Sequence, residues 1–245
     1  MNSERLLFNR NPIVFGTSIE QPSEELVRNT LGLFNASIED AVKYGGELTR
    51  AALGAMNLRN DRRFIVVDTK VHMLIPGMSP AIPGWHTDGV PRGPLRDSIH
   101  HGLPDLYAQE RKNIRPHRYH LLVTGSGCLT EFLLDPIELP FSREPDAQIY
   151  NRMSKWTNDY IKGWVEDDPT ASFPKGCRED IVQTAPSCRI VEFDWWNIHQ
   201  GVVATKKEWR YLIRVMETDM AEPERDLRNV IRTQQQVYAP MNFGW

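Results

Sequence analysis

Apolar positions in the N-terminal quarter of the chain follow a helical pattern. Between residues 22 and 58, Leu26 and Leu33 fall on a period near 3.6, and Ser23 precedes them as a candidate N-cap. Ser37 can cap a second helix with an acidic first turn, although two adjacent glycines weaken its middle. We therefore predict two N-terminal helices that brace a sheet.

Strand patterns follow, beginning at Phe64. The segments are rich in β-branched residues or alternate between apolar and polar positions. The predicted strands cover residues 64–76, 118–125, 128–135, 188–194, 195–203 and 208–219. The second and third of these flank Gly125, Ser126 and Gly127, and this spacing predicts a hairpin.

Helical periodicity returns twice after the first strands. Residues 144–168 place apolar side chains at steps of three and four, which predicts an inserted helix. Residues 221–245 begin like a helix and end in an aromatic tail. Helices first, many strands afterwards and one inserted helix predict a mainly β sandwich or barrel with helical bracing. We expect residues 1–245 to form a single domain.

Composition narrows the class of protein. The chain has 40% hydrophobic and 25% charged residues, which is ordinary for a folded globular protein. Its formal net charge of -3 and its lack of a basic arm do not indicate nucleic-acid binding, which is not excluded. There is no long apolar run, and the three cysteines form no C-x-x-C pair, so we expect a cytoplasmic protein without membrane contact. No sequence feature predicts an oligomeric state.

Candidate metal ligands lie in the stretch "IPGWHTDGVPRG". In a strand, residues two apart share a face, so His86 and Asp88 can present an imidazole and a carboxylate together. The alternative interpretation is a solvated polar turn. More than a hundred residues later, a predicted strand carries His199, and Arg210 follows eleven residues after it in another strand.

A second set of candidate ligands is His117, His120 and Glu131, which lie on neighbouring predicted strands. They could form a cupin-like metal site. This set lacks a supporting arginine and leaves the His86 and Asp88 pair unexplained.

The order H-x-D, long gap, His and later Arg resembles the pattern of the 2-oxoglutarate- and Fe(II)-dependent oxygenases, over about residues 64–216. The resemblance implies a double-stranded β-helix (jelly-roll, cupin-like) core in which two imidazoles and one carboxylate hold Fe(II). It implies that His86, Asp88 and His199 are the metal ligands and that Arg210 grips the far carboxylate of 2-oxoglutarate.

Further cosubstrate contacts are predicted on the same basis. Arg214 shares a strand face with Arg210 and is a second candidate for the cosubstrate, with a structural ion pair as the alternative. Tyr119 and Thr130 lie on strands where this family often supplies a polar group to 2-oxoglutarate. With O2 as co-reactant, the resemblance implies hydroxylation of an unactivated C–H with release of succinate and CO2. The carboxylate of Asp88 argues against halogenation.

The substrate is predicted from the long segment after the metal motif. Arg92, Arg96 and His101 lie in this Pro-, Gly- and Arg-rich stretch and are candidate substrate contacts, since loops on a rigid scaffold often carry specificity. We expect a polar small molecule. The alternatives are a nucleobase or a protein side chain as substrate, and a cupin-type metalloenzyme or binding protein that does not use 2-oxoglutarate.

Overall fold

The computed structural model describes most of the chain. The described residues are 4–81, 83–89, 106–111, 114–141, 148–165, 178–233, 235 and 237–239. Strands predominate over helices among them, so the prediction of a mainly β protein with helical bracing is confirmed. No helix within these ranges is long and apolar enough to cross a membrane.

Strands and helices are interspersed along the chain. The strands are β1 (Glu4–Phe8), β2 (Val14–Ser18), β3 (Gly32–Ser37), β4 (Phe64–Leu74), β5 (Arg118–Val123), β6 (Thr130–Leu133), β7 (Ile137–Phe141), β8 (Val182–Thr184), β9 (Arg189–Asp194), β10 (His199–Gly201), β11 (Glu208–Thr218) and β12 (Ile231–Arg232). The helices are α1 (Glu24–Arg28), α2 (Ile38–Tyr44), α3 (Gly46–Ala55), α4 (Leu106–Arg111), α5 (Ile149–Val165), α6 (Arg178–Ile181) and α7 (Leu227–Val230).

All described strand pairs are antiparallel. Seven strands form the largest sheet, in the order β12-β3-β4-β11-β5-β9-β2. A three-stranded sheet has the order β10-β6-β8, and β1 pairs with β7. The long strand β11 lies at the centre of the largest sheet, where it pairs with β4 along eleven residues and with β5 along six.

The two faces of β11 contribute to different apolar cores. Tyr211 and Ile213 pack on the side of helices α1 to α3, where Leu48 is also buried. The opposite face carries Leu212, which packs against the core that also contains Phe132 of the small sheet. Full burial of an apolar side chain such as Phe132 stabilises the fold by about 1.5–3 kcal/mol. Strand alternation thus turns Arg210 and Arg214, on the face of Leu212, toward the small sheet.

The N-terminal helical region is shorter and more broken than predicted. Ser23 and Ser37 do cap helices, accepting hydrogen bonds from the backbone N–H groups of Leu26 and Asp40. The prediction of helix through Leu33 is wrong, because residues 32–37 form β3. Its antiparallel pairing with β4 buries Leu33. The second helix is divided into α2 and α3 at Gly46, which takes a left-handed φ of 80°.

The predicted hairpin around residues 125–127 is also wrong. β5 pairs with β11 and β9 in the large sheet, whereas β6 pairs with β10 and β8 in the small one. The connection therefore crosses between sheets. Local glycine and serine signals identify a turn, but they do not identify the strand with which each flank pairs.

The remaining predictions differ mainly in extent. The inserted helix is confirmed as α5, within the predicted range 144–168, and the strand predicted over 195–203 is limited to β10. The C-terminal helix has only four described residues, α7. Strands β1 and β2 were not predicted from the sequence.

Candidate metal centre

Three predicted ligands come together between the two sheets. The ligand atoms of His86, Asp88 and His199 all lie within 4.8 Å of one another, and no other such group of His, Cys, Asp or Glu occurs among the described residues. The backbones of His86 and His199 exchange two hydrogen bonds of 2.9 Å, which add His86 to the edge of β10. Strand pairing thus sets the separation of the two imidazoles, whose centroids are 4.7 Å apart.

Backbone carbonyls orient both imidazoles. The Nδ1 atom of His86 lies 2.8 Å from the carbonyl oxygen of Gly84, and the Nδ1 atom of His199 lies 3.0 Å from that of Asn197. A carbonyl oxygen only accepts, so each Nδ1 carries the proton and donates it. Each neutral ring then has its lone pair at Nε2, the form in which a second hydrogen bond fixes a metal-binding histidine.

The two carboxylate oxygens of Asp88 have different neighbours. Oδ1 forms an ion pair with Nη1 of Arg214, with 2.8 Å between the two atoms, whereas Oδ2 lies 3.7 Å from Nε2 of His199. Burial by itself would raise the pKa of Asp88, but the Arg214 guanidinium, together with the positive charge that His199 and His86 carry when protonated, outweighs it and holds that pKa well below its usual range. Asp88 is therefore an anion at neutral pH.

His199 is buried, with 6% of its surface exposed. Burial lowers its pKa, although the neighbouring Asp88 opposes the shift. The neutral imidazole, which is the form that binds metals, is thus favoured at neutral pH. The rings of Phe132 and Phe193 lie within 5.5 Å and 5.1 Å of the His199 ring, centroid to centroid, and form an apolar wall behind it.

Helix α5 supports the first ligand from outside the sheets. The backbone N–H of Trp85 donates to Oγ of Ser154 at 3.2 Å, and its indole N–H donates to Oδ1 of Asn158 at 3.1 Å. Gly84 has a φ of 97°, and a Cβ there would collide with Ser154. The inserted helix therefore fixes the backbone that carries His86. The sequence predicted the helix but gave no sign of what it contacts.

A row of ionisable side chains extends from the candidate ligands along the inner face of β4 and β11. Cross-strand pairs place Asp68 opposite Arg214, Lys70 opposite Leu212 and His72 opposite Arg210. This row of charges lies at alternate positions of otherwise apolar strands, and Asp68 and Lys70 were not predicted as site residues. The alternation itself, in the stretch "DTKVH", was a signal that could have identified them.

Arg210 and Lys70 carry the charges in this row that have no carboxylate partner among the described residues. Arg210 is 1% exposed, and its Nε–H donates to the carbonyl oxygen of Cys128 at 2.8 Å. Its Nη1 atom is buried without a hydrogen-bond partner, and burial lowers the pKa of the guanidinium. Burial also lowers the pKa of Lys70, as do the nearby Arg214 and Arg210 cations. A buried cation such as Arg210 is normally paired with an anion, and the partly exposed Lys70 adds a second positive charge near it.

The other predicted contacts are placed as follows. Tyr119 is buried, stacks on Phe193 and has its ring 5.7 Å from the guanidinium carbon of Arg214; burial raises its pKa well above the usual range. Thr130 is buried on β6 opposite Gly201, which lies two residues after His199 on β10. Arg92, Arg96 and His101 lie outside the described residues.

The rival ligand set does not assemble into a site. Nε2 of His120 lies 2.8 Å from a carboxylate oxygen of Glu217, in a different part of the sheet. Glu131 accepts two hydrogen bonds from Arg178, at 3.0 and 2.6 Å. Both residues therefore have other side-chain partners, and neither belongs with His117 to a group close enough to share a metal.

Comparisons with protein-family models, with curated proteins and with solved structures find no match to this chain. Function is therefore inferred from the chemistry of the site.

Proposed function

We propose that the protein is an Fe(II)- and 2-oxoglutarate-dependent oxygenase that hydroxylates a polar small molecule. The observation that carries this proposal is the convergence of His86, Asp88 and His199 with their ligand atoms within 4.8 Å and both Nδ1 atoms turned to carbonyls. Two imidazoles and one carboxylate with open positions are the donor set of non-haem Fe(II) oxygenases.

The strand arrangement supports a double-stranded β-helix core for this enzyme. The small sheet β10-β6-β8, extended by the His86 bridge, faces the large sheet across the apolar core. His86 and His199 lie on the small sheet, and on this proposal the cosubstrate lies between the sheets. Arg210, on the inner face of β11, would meet it there.

Arg210 and Lys70 suit the far carboxylate of 2-oxoglutarate. Arg210 has a buried Nη1 without a partner, and its Nε is fixed by Cys128, so its free edge can form a charge-assisted hydrogen bond. Lys70 adds a second cation on β4, two residues before His72, which pairs with Arg210. Arg214, by contrast, has both terminal nitrogens bound to carboxylates, so we assign the cosubstrate to Arg210.

The residues of the chain would bind the iron and exclude water from it. His86 and His199 would hold Fe(II) through Nε2, and Asp88 would hold it through the oxygen that faces His199. Phe132 and Phe193, both at most 4% exposed, exclude water from one side. When bound, iron and 2-oxoglutarate supply the oxidation: with O2, the keto acid yields succinate and CO2, and one oxygen atom enters a substrate C–H bond.

The proposal is tested by measuring succinate formed from 2-oxoglutarate in the presence of Fe(II), ascorbate and air. We expect the wild-type protein to form succinate in a metal-dependent reaction. His86→Ala and His199→Ala should lose this activity while retaining the far-UV circular dichroism of the folded protein. Absence of metal-dependent succinate in the wild type, or its persistence in both variants, contradicts the proposal.

A further inference from the structure

Arg214 joins two carboxylates that belong to different strands. Its Nη1 atom lies 2.8 Å from Oδ1 of Asp88, and its Nη2 atom lies 2.7 Å from Oδ2 of Asp68. The side chains of Asp68 and Asp88 are 12% and 15% exposed, and that of Arg214 is 30% exposed, so these are short, partly desolvated ion pairs. The contact with Asp68 is also a charge-assisted hydrogen bond, which has a defined geometry.

Asp68 is itself fixed from the neighbouring strand. Its Oδ1 accepts the backbone N–H of Asn35 at 2.8 Å. Asn35 lies where the register between β3 and β4 shifts, and its φ of 49° is left-handed. A bulge redirects backbone groups that would otherwise pair within the sheet. The N–H of Asn35 thus fixes one oxygen of Asp68, and the other is left for Arg214.

We propose that Arg214 and Asp68 are positioning residues that hold the metal ligand Asp88 in a one-oxygen binding mode. Arg214 occupies Oδ1, so Oδ2, the oxygen nearer His199, is the one that would bind the metal. This inference rests on the metal site of the proposed function. It assigns Arg214 to the ligand carboxylate, and the cosubstrate to other residues.

The binding mode matters because of coordination number. A carboxylate that binds through both oxygens would fill one of the three positions that a facial triad leaves open. A keto acid needs two of these positions and O2 needs the third. With Oδ1 held by Arg214, Asp88 fills one position, and all three stay available.

Asp68 also balances the charge that Arg214 introduces. A guanidinium next to a metal ligand repels a divalent cation, and the desolvated surroundings strengthen that repulsion. The Asp68 carboxylate, 2.7 Å from the same guanidinium, offsets it. The pair Asp68 and Arg214 is together neutral, so it can orient Asp88 without a net charge that opposes the metal.

The test measures Co(II) affinity, because Co(II) binds such donor sets and reports on them by visible absorption without turnover. The double variant D68N/R214M conserves net charge and removes the positioning contacts. We expect it to bind Co(II) about 10- to 100-fold more weakly than the wild type, as is typical when an outer partner of a metal ligand is removed. D68N alone, which keeps the shape of the side chain, should weaken binding in the same direction.

Arg62→Met is the matched control. Arg62 is more buried than Arg214, with its side chain 6% against 30% exposed, and it pairs with Asp219; within the described part of the chain, no hydrogen bond or ion pair links these two residues to the candidate ligands. R62M should keep wild-type Co(II) affinity. Wild-type affinity in D68N/R214M overturns the proposal, even if D68N is weak, since charge alone would then explain D68N. If the double variant does not fold, wild-type affinity in D68N overturns it.

The outcome separates this inference from the proposed function. Wild-type protein that binds Co(II) but forms no succinate contradicts the oxygenase assignment and leaves the positioning test intact. Equal weakening in R62M attributes the loss to general destabilisation and overturns the positioning role.

Discussion

At the scale of single residues, the role proposed for Arg210 rests on a donor atom that has no hydrogen-bond partner. Its Nε is satisfied by Cys128, while its Nη1 is buried without a partner. A buried donor that is left unsatisfied costs about 1–3 kcal/mol, more when it is charged, so a bound anion would stabilise this arrangement. The assignment of that anion as the far carboxylate of 2-oxoglutarate remains a prediction.

Arg210→Met tests this assignment through binding. A hydrogen bond to a charged group contributes about 1.5–3 kcal/mol, so we expect the Kd for 2-oxoglutarate to rise roughly 10- to 100-fold in R210M. The Kd for 2-oxopentanoate, which lacks the far carboxylate, should differ little between R210M and the wild type. Calorimetric titration of the Co(II) form measures both. An equal loss for the two keto acids would show that Arg210 acts on the site in general.

At the scale of the elements, the sequence predicted which candidate ligands come together better than it predicted the residues that support them. His86, Asp88, His199 and Arg210 follow a spacing that is readable along the chain, and the structure brings the first three together. The partners of Arg214 were not readable, because Asp68 meets it only through the register of β4 on β11. Local sequence patterns define strands but not which strands pair, and the wrong hairpin prediction has the same cause.

Strand β3 illustrates a further limit. Leu26 and Leu33 lie seven residues apart, a spacing that fits two helical turns. Pairing with β4 decides the outcome, since it buries Leu33 and gives its N–H a hydrogen bond to Thr69. Tertiary context overrides local propensity here.

A buried ion network joins β5 to β11 and makes stability depend on pH. Glu217 is fully buried and accepts hydrogen bonds from Arg118 and the Arg59 backbone, and it lies 2.8 Å from His120. Burial by itself would raise the pKa of Glu217, but His120 and Arg118 outweigh it and lower that pKa. A lowered folded-state pKa contributes stability above the unfolded value, and this is lost as pH falls through the folded one.

Glu217→Gln should therefore flatten the acid side of the stability profile. Between about pH 6 and pH 3, the wild type should lose more unfolding free energy than E217Q, with slopes differing by at most about 1.4 kcal/mol per pH unit. Urea unfolding across this range measures the difference. E138Q, which removes an exposed carboxylate paired with Arg5, should track the wild type, because exposed ion pairs contribute little. Parallel profiles for E217Q and the wild type would contradict the role of Glu217.

At the scale of the whole molecule, two layers serve different purposes. Helices α1 to α3 and the outer face of the large sheet form an apolar core that supports β4 and β11. The inner face of those strands carries the ionisable row, and the small sheet across from it carries His199. This division brings together candidate ligands and counter-charges from segments more than a hundred residues apart. The proposed oxygenase chemistry depends on it.

The proposed metal and cosubstrate site is tested most directly by an anaerobic titration of the metal-free protein with Fe(II) and 2-oxoglutarate, followed by visible absorption. We predict a charge-transfer band of the iron-bound keto acid that saturates at one Fe(II) and one 2-oxoglutarate per chain, and that is absent in His199→Ala. A wild-type protein that shows no band at saturating concentrations, or a band that persists unchanged in His199→Ala, would contradict the proposed site.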